Sequence, residues 1–286
     1  MRPIHSFIVG CPRSGTTRLQ YLLASQPDVM TFPESHFFNV LEDLPFSQRW
    51  YVTEHPFLDL RSFRDWVRKH YPSVRVPALL ITRKSAAIRF LRCLDRIASA
   101  NRRKIWIEKT PNHIASINEI TSASKNAKFI HLIRDPVDVV ASLLDVSGKY
   151  KEVWNFNTVE KALQRWEFAA EISLIHVDKP GHMVVIYEEL ANSEDRVIAE
   201  VMEFLGGKLE KPCPPPADAL VNDNEPWKSR ATNSRTELTK GKADFLLSQS
   251  DKSLIRQRAL EKYQSLFESA CTRETVRQVS ECCDVM

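Results

Sequence analysis

The run Gly10-Cys11-Pro12-Arg13-Ser14-Gly15-Thr16-Thr17 is the part of this chain best suited to chemistry. It lies between an apolar strand pattern and an amphipathic helix pattern and has the GxxxxG spacing of a loop that wraps a phosphate. Backbone N–H groups opening a helix point at an anion, the helix dipole is positive there, and glycine lets the main chain approach closely. Arg13 adds a cation inside the loop, while Thr16 stands where a nucleoside-triphosphate loop carries Lys. Moving a γ-phosphoryl group uses that Lys together with Mg²⁺ held by Ser/Thr and a second acid. The loop therefore reads as an anion site turned away from metal-dependent phosphoryl transfer.

A second motif lies downstream in Phe129-Ile-His-Leu-Ile-Arg-Asp-Pro-Val-Asp-Val-Val-Ala-Ser142. A strand pattern ends at Arg134, and Ser142 follows about two helical turns later, so guanidinium and hydroxyl could converge on one dianion. The local alternative is that Arg134-Asp135 starts a helix and pairs with its neighbours. Taken together, Pro12–Thr17 resembles the 5′-phosphosulfate loop of sulfotransferases that use 3′-phosphoadenosine 5′-phosphosulfate (PAPS), and the second run resembles that family's 3′-phosphate motif. The resemblance implies a P-loop NTPase-like sulfotransferase fold, PAPS as sulfuryl donor, adenosine 3′,5′-bisphosphate (PAP) as product, and no metal.

Further matches extend the resemblance over most of the chain. Glu108-Lys109-Thr110-Pro111 and Glu34-Ser35-His36-Phe37-Phe38 are similar to segments of heparan sulfate sulfotransferases. There the Lys lies beside the transferred group and the Glu is the catalytic base. Tyr187-Glu-Glu-Leu190 and Phe204-Leu205-Gly206 are similar to markers found widely in the superfamily, and Lys240-Gly241-Lys242 looks like the C-terminal Lys-Gly-Arg loop over the 3′-phosphate, with Lys in place of Arg. An ammonium is a point charge where the guanidinium is a fork, so a bidentate contact is not expected at Lys242.

Sulfuryl transfer to a hydroxyl needs a base for the attacking O–H and cations beside the leaving phosphate. The resemblance assigns Glu34 as the base, Lys109 and Arg13 to the charge on the departing oxygen, and Ser14, Gly15, Thr16 and Thr17 to the 5′-phosphate. Arg134, Ser142, Lys240, Gly241 and Lys242 fall to the 3′-phosphate. His36 and His113 compete for the base role, since an unperturbed imidazole titrates near neutrality. Each also has a structural reading, His36 as a packed neighbour of the aromatic run and His113 as the start of a helix. Trp227 could stack on adenine, line the acceptor mouth or anchor its loop.

The elements that must position these groups alternate strand with helix: Phe7–Gly10 then Thr16–Ala24, Ile105–Glu108 then Asn112–Ser122, Phe129–Ile133 then Pro136–Leu144. A helix at Val159–His176, a strand at Met183–Tyr187, a helix at Glu194–Leu205 and a last helix about Lys252–Ser269 continue the pattern. This predicts an α/β protein with a central parallel sheet flanked by helices on both faces, one domain over residues 1–286. Two Pro-rich stretches, near 45–82 and 207–244, read as loop or lid insertions.

The 286 residues are 43% hydrophobic, enough for a sizeable core. Six cysteines without CxxC spacing read as reduced thiols. The short lead before the first strand and the lack of a long apolar run predict a cytoplasmic chain without stable membrane insertion. Net charge is +4, yet residues 61–104 carry thirteen Lys/Arg against Asp65 and Asp95, leaving the remainder at −7. Arg89, Arg92 and Arg96 share one helical face, opposite Ile88, Leu91, Leu94 and Ile97. That basic face is either a solvated surface or a patch that attracts an anionic ligand; the resemblance to heparan sulfate enzymes implies a hydroxyl acceptor, a saccharide and an anionic one if the basic face meets it, with no nucleic acid. A degenerate P-loop kinase and a non-catalytic anion- or glycan-binding module are the competing functions.

Overall fold

A computed structural model describes residues 2–42, 58–75, 83–216, 219–220 and 241–283. The chain groups into two compact units, Met1–Val9 with Thr16–Phe129 and Ile198–Ser234, and Gly10–Gly15 with Ile130–Val197 and Arg235–Met286. In chain order the elements are β1 (Ile4–Gly10), α1 (Thr16–Ala24), β2 (Val29–Thr31), α2 (Phe37–Glu42), α3 (Leu58–His70), α4 (Arg83–Ala100) and β3 (Ile105–Lys109). A 3-10 turn at Pro111–Ser116 leads into α5 (Ile117–Ala123) and β4 (Lys128–Ile133). Then come α6 (Pro136–Lys149), α7 (Val159–His176), β5 (His182–Ile186), α8 (Tyr187–Asn192), α9 (Glu194–Leu205), α10 (Lys242–Leu246) and α11 (Gln249–Cys283). The strands form the expected parallel sheet flanked by helices, in the order β2-β3-β1-β4-β5. In register, Ile4 faces Ile105 and Ile8 faces Lys109 across β1 and β3, while Val29 faces Ile105 across β2 and β3.

In the first unit every residue of β3 is buried, including its last two, Glu108 and Lys109. A strand covered on both faces is normally apolar throughout, so two buried charges at its end require partners close by. Around β3 sits an aromatic core of Phe7, Phe32, Phe37, Phe38, Phe63, Phe90 and Trp106. Phe37 stacks flat on Phe90 with ring centroids 4.1 Å apart, and Phe38 meets Phe7 and Phe90 edge-on. Burying each of these rings is worth about 1.5–3 kcal/mol. That pins the backbone at 37–38, and with it Glu34 and His36 just upstream. On α4, Leu91, Leu94 and Ile97 are buried while Arg89, Arg92 and Arg96 are exposed, as the pattern anticipates.

The stretch read as loop near 45–82 contains α3, because Phe63, Trp66 and Val67 fall at helical spacing and bury one stripe. Residues 71–75 follow it as an irregular turn, and 45–57 and 76–82 lie outside the described residues. Of the second stretch, 207–216 is irregular and 242–244 opens α10.

In the second unit α6 packs against α7, α10 and α11, and α11 covers β5. Asp135 caps α6 by accepting the Val137 N–H at 2.8 Å and the Asp138 N–H at 3.2 Å, satisfying two open helix donors. The last helix is longer than predicted. Ile255, Ala259 and Leu266 lie along its buried face. Among the described residues no helix is long and apolar enough to cross a membrane.

Candidate functional site

In the second unit the phosphate loop and the Arg134 motif come together: Arg13 donates from Nε to Ser142 Oγ at 3.3 Å. Arg13 has φ +74, a left-handed conformation that a non-glycine residue adopts only when its surroundings hold it there. Gly15 has φ +96, and a Cβ placed on it would lie 2.4 Å from Cε2 of Tyr187, so only glycine fits the close pass of loop over ring. The same ring carries the Arg134 guanidinium 4.4 Å above its centroid. Arg134 also bonds Asp138 at 2.8 Å, the local pairing considered as an alternative, and its carbonyl accepts from Trp166 Nε1 at 3.0 Å. Ser14 is buried, and its Oγ meets no hydrogen-bond partner among the described residues. Cys11 is a packed thiol rather than a nucleophile: burial pushes it up to about 12, against the opposing charge of Arg165.

Lys242 donates to Asp145 Oδ2 at 2.7 Å, which ties the start of α10 to α6. Burial works against the Asp145 carboxylate, but hydrogen bonds from Lys149 and Lys242 hold its carboxyl below the usual range. Gly241, at φ +96, supplies the turn before α10. Lys240 and Trp227 lie outside the described residues.

In the first unit Lys109 is fully buried at the end of β3. Its ammonium bonds Glu34 Oε1 and Thr17 Oγ1, the latter at 3.3 Å. Thr16 and Thr17 form the buried first turn of α1. His36 Nε2 lies 3.3 Å from the other oxygen of Glu34, and His36 has φ +51, a second non-glycine residue in the left-handed region. Glu34, Lys109, His36 and Thr17, chosen from motifs far apart in sequence, thus meet in one cluster.

Beside this cluster is a carboxylate to which the sequence motifs alone give no role. Glu108 is buried, and its Oε1 accepts from Ser35 N–H at 3.1 Å, Ser35 Oγ at 2.8 Å and Thr110 Oγ1 at 2.6 Å. Oε2 lies 2.8 Å from His113 Nδ1. Burial opposes ionisation of Glu108, while the hydrogen bonds it accepts from His113, Thr110 and Ser35 act the other way, and its carboxyl is held below the usual range. A charged pair ending an otherwise apolar strand run, Ile105-Trp-Ile-Glu-Lys109, was the available signal. In the sequence Tyr187 is only the first residue of the Tyr-Glu-Glu-Leu marker; its seat under Arg134 and over Gly15 comes from the fold.

The sulfotransferase family model matches residues 5–211. A protein-tyrosine sulfotransferase of Drosophila melanogaster is 25% identical over 210 residues, covering 70% of this chain and 37% of that protein. The sulfotransferase domain of the Synechococcus PCC 7002 olefin synthase is similar in structure, with TM-score 0.55 and 19% identity over 90% of this chain and 95% of that one. Mouse sulfotransferase SULT7A1, solved with PAP, has TM-score 0.51 and 15% identity over 96% and 89%. The chain spans 37%, 32% and 25% of the lengths of the curated relatives it matches. The structural likenesses establish the fold, and the family model, matched across most of the chain, establishes the membership: the chain belongs to the sulfotransferase family.

Proposed function

We propose that this chain transfers a sulfuryl group from PAPS to an acceptor hydroxyl, that of a carbohydrate. The observation that carries the reading is Lys109, whose ammonium joins a carboxylate suited to be a base, Glu34, to a hydroxyl of the phosphate-loop helix, Thr17. The loop fits an anion: Ser14 Oγ is a buried hydroxyl without a partner among the described residues, and Gly15 allows a close backbone pass that a Cβ would block.

PAPS, when bound, supplies the sulfuryl group and departs as PAP. Glu34 takes the acceptor's proton as the new S–O bond forms, and His36 beside it offers that proton a way onward. Lys109 and Arg13 hold the charge left on the 5′-phosphate as the old S–O bond breaks. Backbone N–H groups from Ser14 to Thr17 orient that phosphate at the start of α1. Arg134, Ser142 and Lys242 hold the 3′-phosphate.

Similarity of Glu34–Phe38 and Glu108–Pro111 to heparan sulfate sulfotransferases supports a carbohydrate acceptor, and the exposed Arg89, Arg92 and Arg96 suit an anionic one. A second reading, a tyrosyl hydroxyl in a peptide, is favoured by the match to the Drosophila enzyme. Incubation with labelled PAPS and parallel panels of glycans and tyrosine peptides tests both. Label in glycans alone supports the first reading, and label in peptides alone replaces it. Calorimetric titration with PAP and with ATP plus Mg²⁺ tests the donor, and tighter binding of ATP would overturn the proposal.

A further inference from the structure

The Glu108 network fixes the protonation of His113 and, through it, the backbone that carries Glu34. The backbone N–H of Phe38 donates to His113 Nε2 at 3.2 Å. A nitrogen that accepts from an amide carries no proton, so the imidazole hydrogen sits on Nδ1 and is donated to Glu108 Oε2. Both ring nitrogens are thereby used, and the ring is fully buried against Phe38, with centroids 5.2 Å apart. His113 has neither a free lone pair nor an exposed edge with which to take a substrate proton.

The same bonds act on the segment opposite. Residues Glu34–His36 have no regular secondary structure, and His36 holds a strained φ. Ser35 is tied to Glu108 through both its N–H and its hydroxyl, the His36 N–H reaches Thr110 Oγ1 at 3.4 Å, and the Phe38 N–H is tied to His113. These anchors all come from the Glu108–His113 stretch, immediately beside Lys109. We propose that Glu108 and His113 are positioning residues that clamp the 35–38 backbone, so that the Glu34 carboxylate is presented to Lys109 and to the acceptor, and that His113 takes no part in proton transfer. The proposal rests on the reading of Glu34 as the base.

Two measurements test it. The first needs no turnover: ¹⁵N NMR of the imidazoles in the wild-type protein near neutral pH should show His113 as the neutral Nδ1–H tautomer. An Nε2–H or doubly protonated ring overturns the clamp. The second uses labelled PAPS with the acceptor found in the panels above. Glu108→Ala and His113→Ala should each lower kcat about 10- to 100-fold, the range for removing a partner that orients an active group, with PAP affinity kept. His113→Asn, which can still donate to Glu108, should recover most of the loss and keep the wild-type acid limb of the kcat profile. Equal loss in His113→Asn and His113→Ala, with that limb abolished, makes His113 the base and overturns the proposal. Wild-type protein that binds no PAP defeats the donor reading instead, and the NMR result still judges the clamp.

Discussion

Arg13 and Ser142, 129 positions apart in sequence, are joined by a 3.3 Å hydrogen bond from guanidinium Nε to hydroxyl Oγ. The phosphate loop and the Arg134 motif are therefore mechanically linked. Charge-assisted hydrogen bonds are worth about 1.5–3 kcal/mol, so Arg13→Ala should weaken PAP binding about 10- to 100-fold. Ser142→Ala, which keeps the guanidinium but removes its tether, should weaken it less. Calorimetry on the two variants gives the order, and unchanged PAP binding in Ser142→Ala would remove Ser142 from the site.

Gly15→Ala should be among the most damaging single-methyl changes in the protein. Its Cβ would enter the Tyr187 ring, and φ +96 is strained for any side chain. Overpacking costs about 1–3 kcal/mol, and the Arg134 guanidinium on the other contact of that ring would be displaced as well. Denaturant unfolding should show the loss, and the same substitution in a Tyr187→Ala background should cost less.

Glu34→Gln separates stability from chemistry. Removing a positioned base lowers kcat by about 10²–10⁴-fold. Removing the partner of a buried ammonium costs about 3–5 kcal/mol, and Lys109 is fully buried. The variant should therefore be both slower and less stable, yet bind PAP nearly as well as wild type. Near-full turnover at saturating PAPS would remove Glu34 from the base role.

Glu108 gives a pH dependence with a definite sign. Its carboxyl is held below its ordinary value of 4.5, so the unfolded chain binds that proton more readily than the folded one. The associated stability is fully present above the ordinary value and is lost as pH falls through the depressed one. Glu108→Gln presents an amide N–H to the His113 N–H and should cost about 1–3 kcal/mol near neutral pH. That cost should shrink on acidification, as seen by chemical denaturation across the acid range; a constant difference would mean that Glu108 is not ionised in the folded protein.

Much of this architecture was legible in the sequence. The helices at Val159–His176 and Glu194–Leu205 are legible in the sequence, because acidic residues open their first turns, Glu160 in one and Glu194 with Asp195 in the other, and an apolar stripe follows. The three-residue β2 and six-residue α2 and α8 are too short to show a period, and tertiary packing alone fixes them. The motifs located Glu34, Lys109, Arg13 and Ser142, but the bonds between them join residues 75 and 129 positions apart. The sequence motifs alone give Glu108 no role for a related reason: a carboxylate in a strand reads as exposed unless one knows that both faces of that strand are covered. The aromatic run at 37–38 leaves His36 open between a packed neighbour and a base; the rings hold the backbone, and the imidazole is about one-third exposed beside Glu34.

The anchoring of residues 35–38 has a consequence for solvent exchange. Amide protons of an irregular segment, and those of the first turn of a helix, ordinarily trade with water quickly, because no backbone carbonyl receives them. Here the Ser35 proton goes to a buried carboxylate and the Phe38 proton to a buried imidazole. Deuterium labelling should find these two amides as slow as those of the neighbouring strand, a coil with the protection of a sheet.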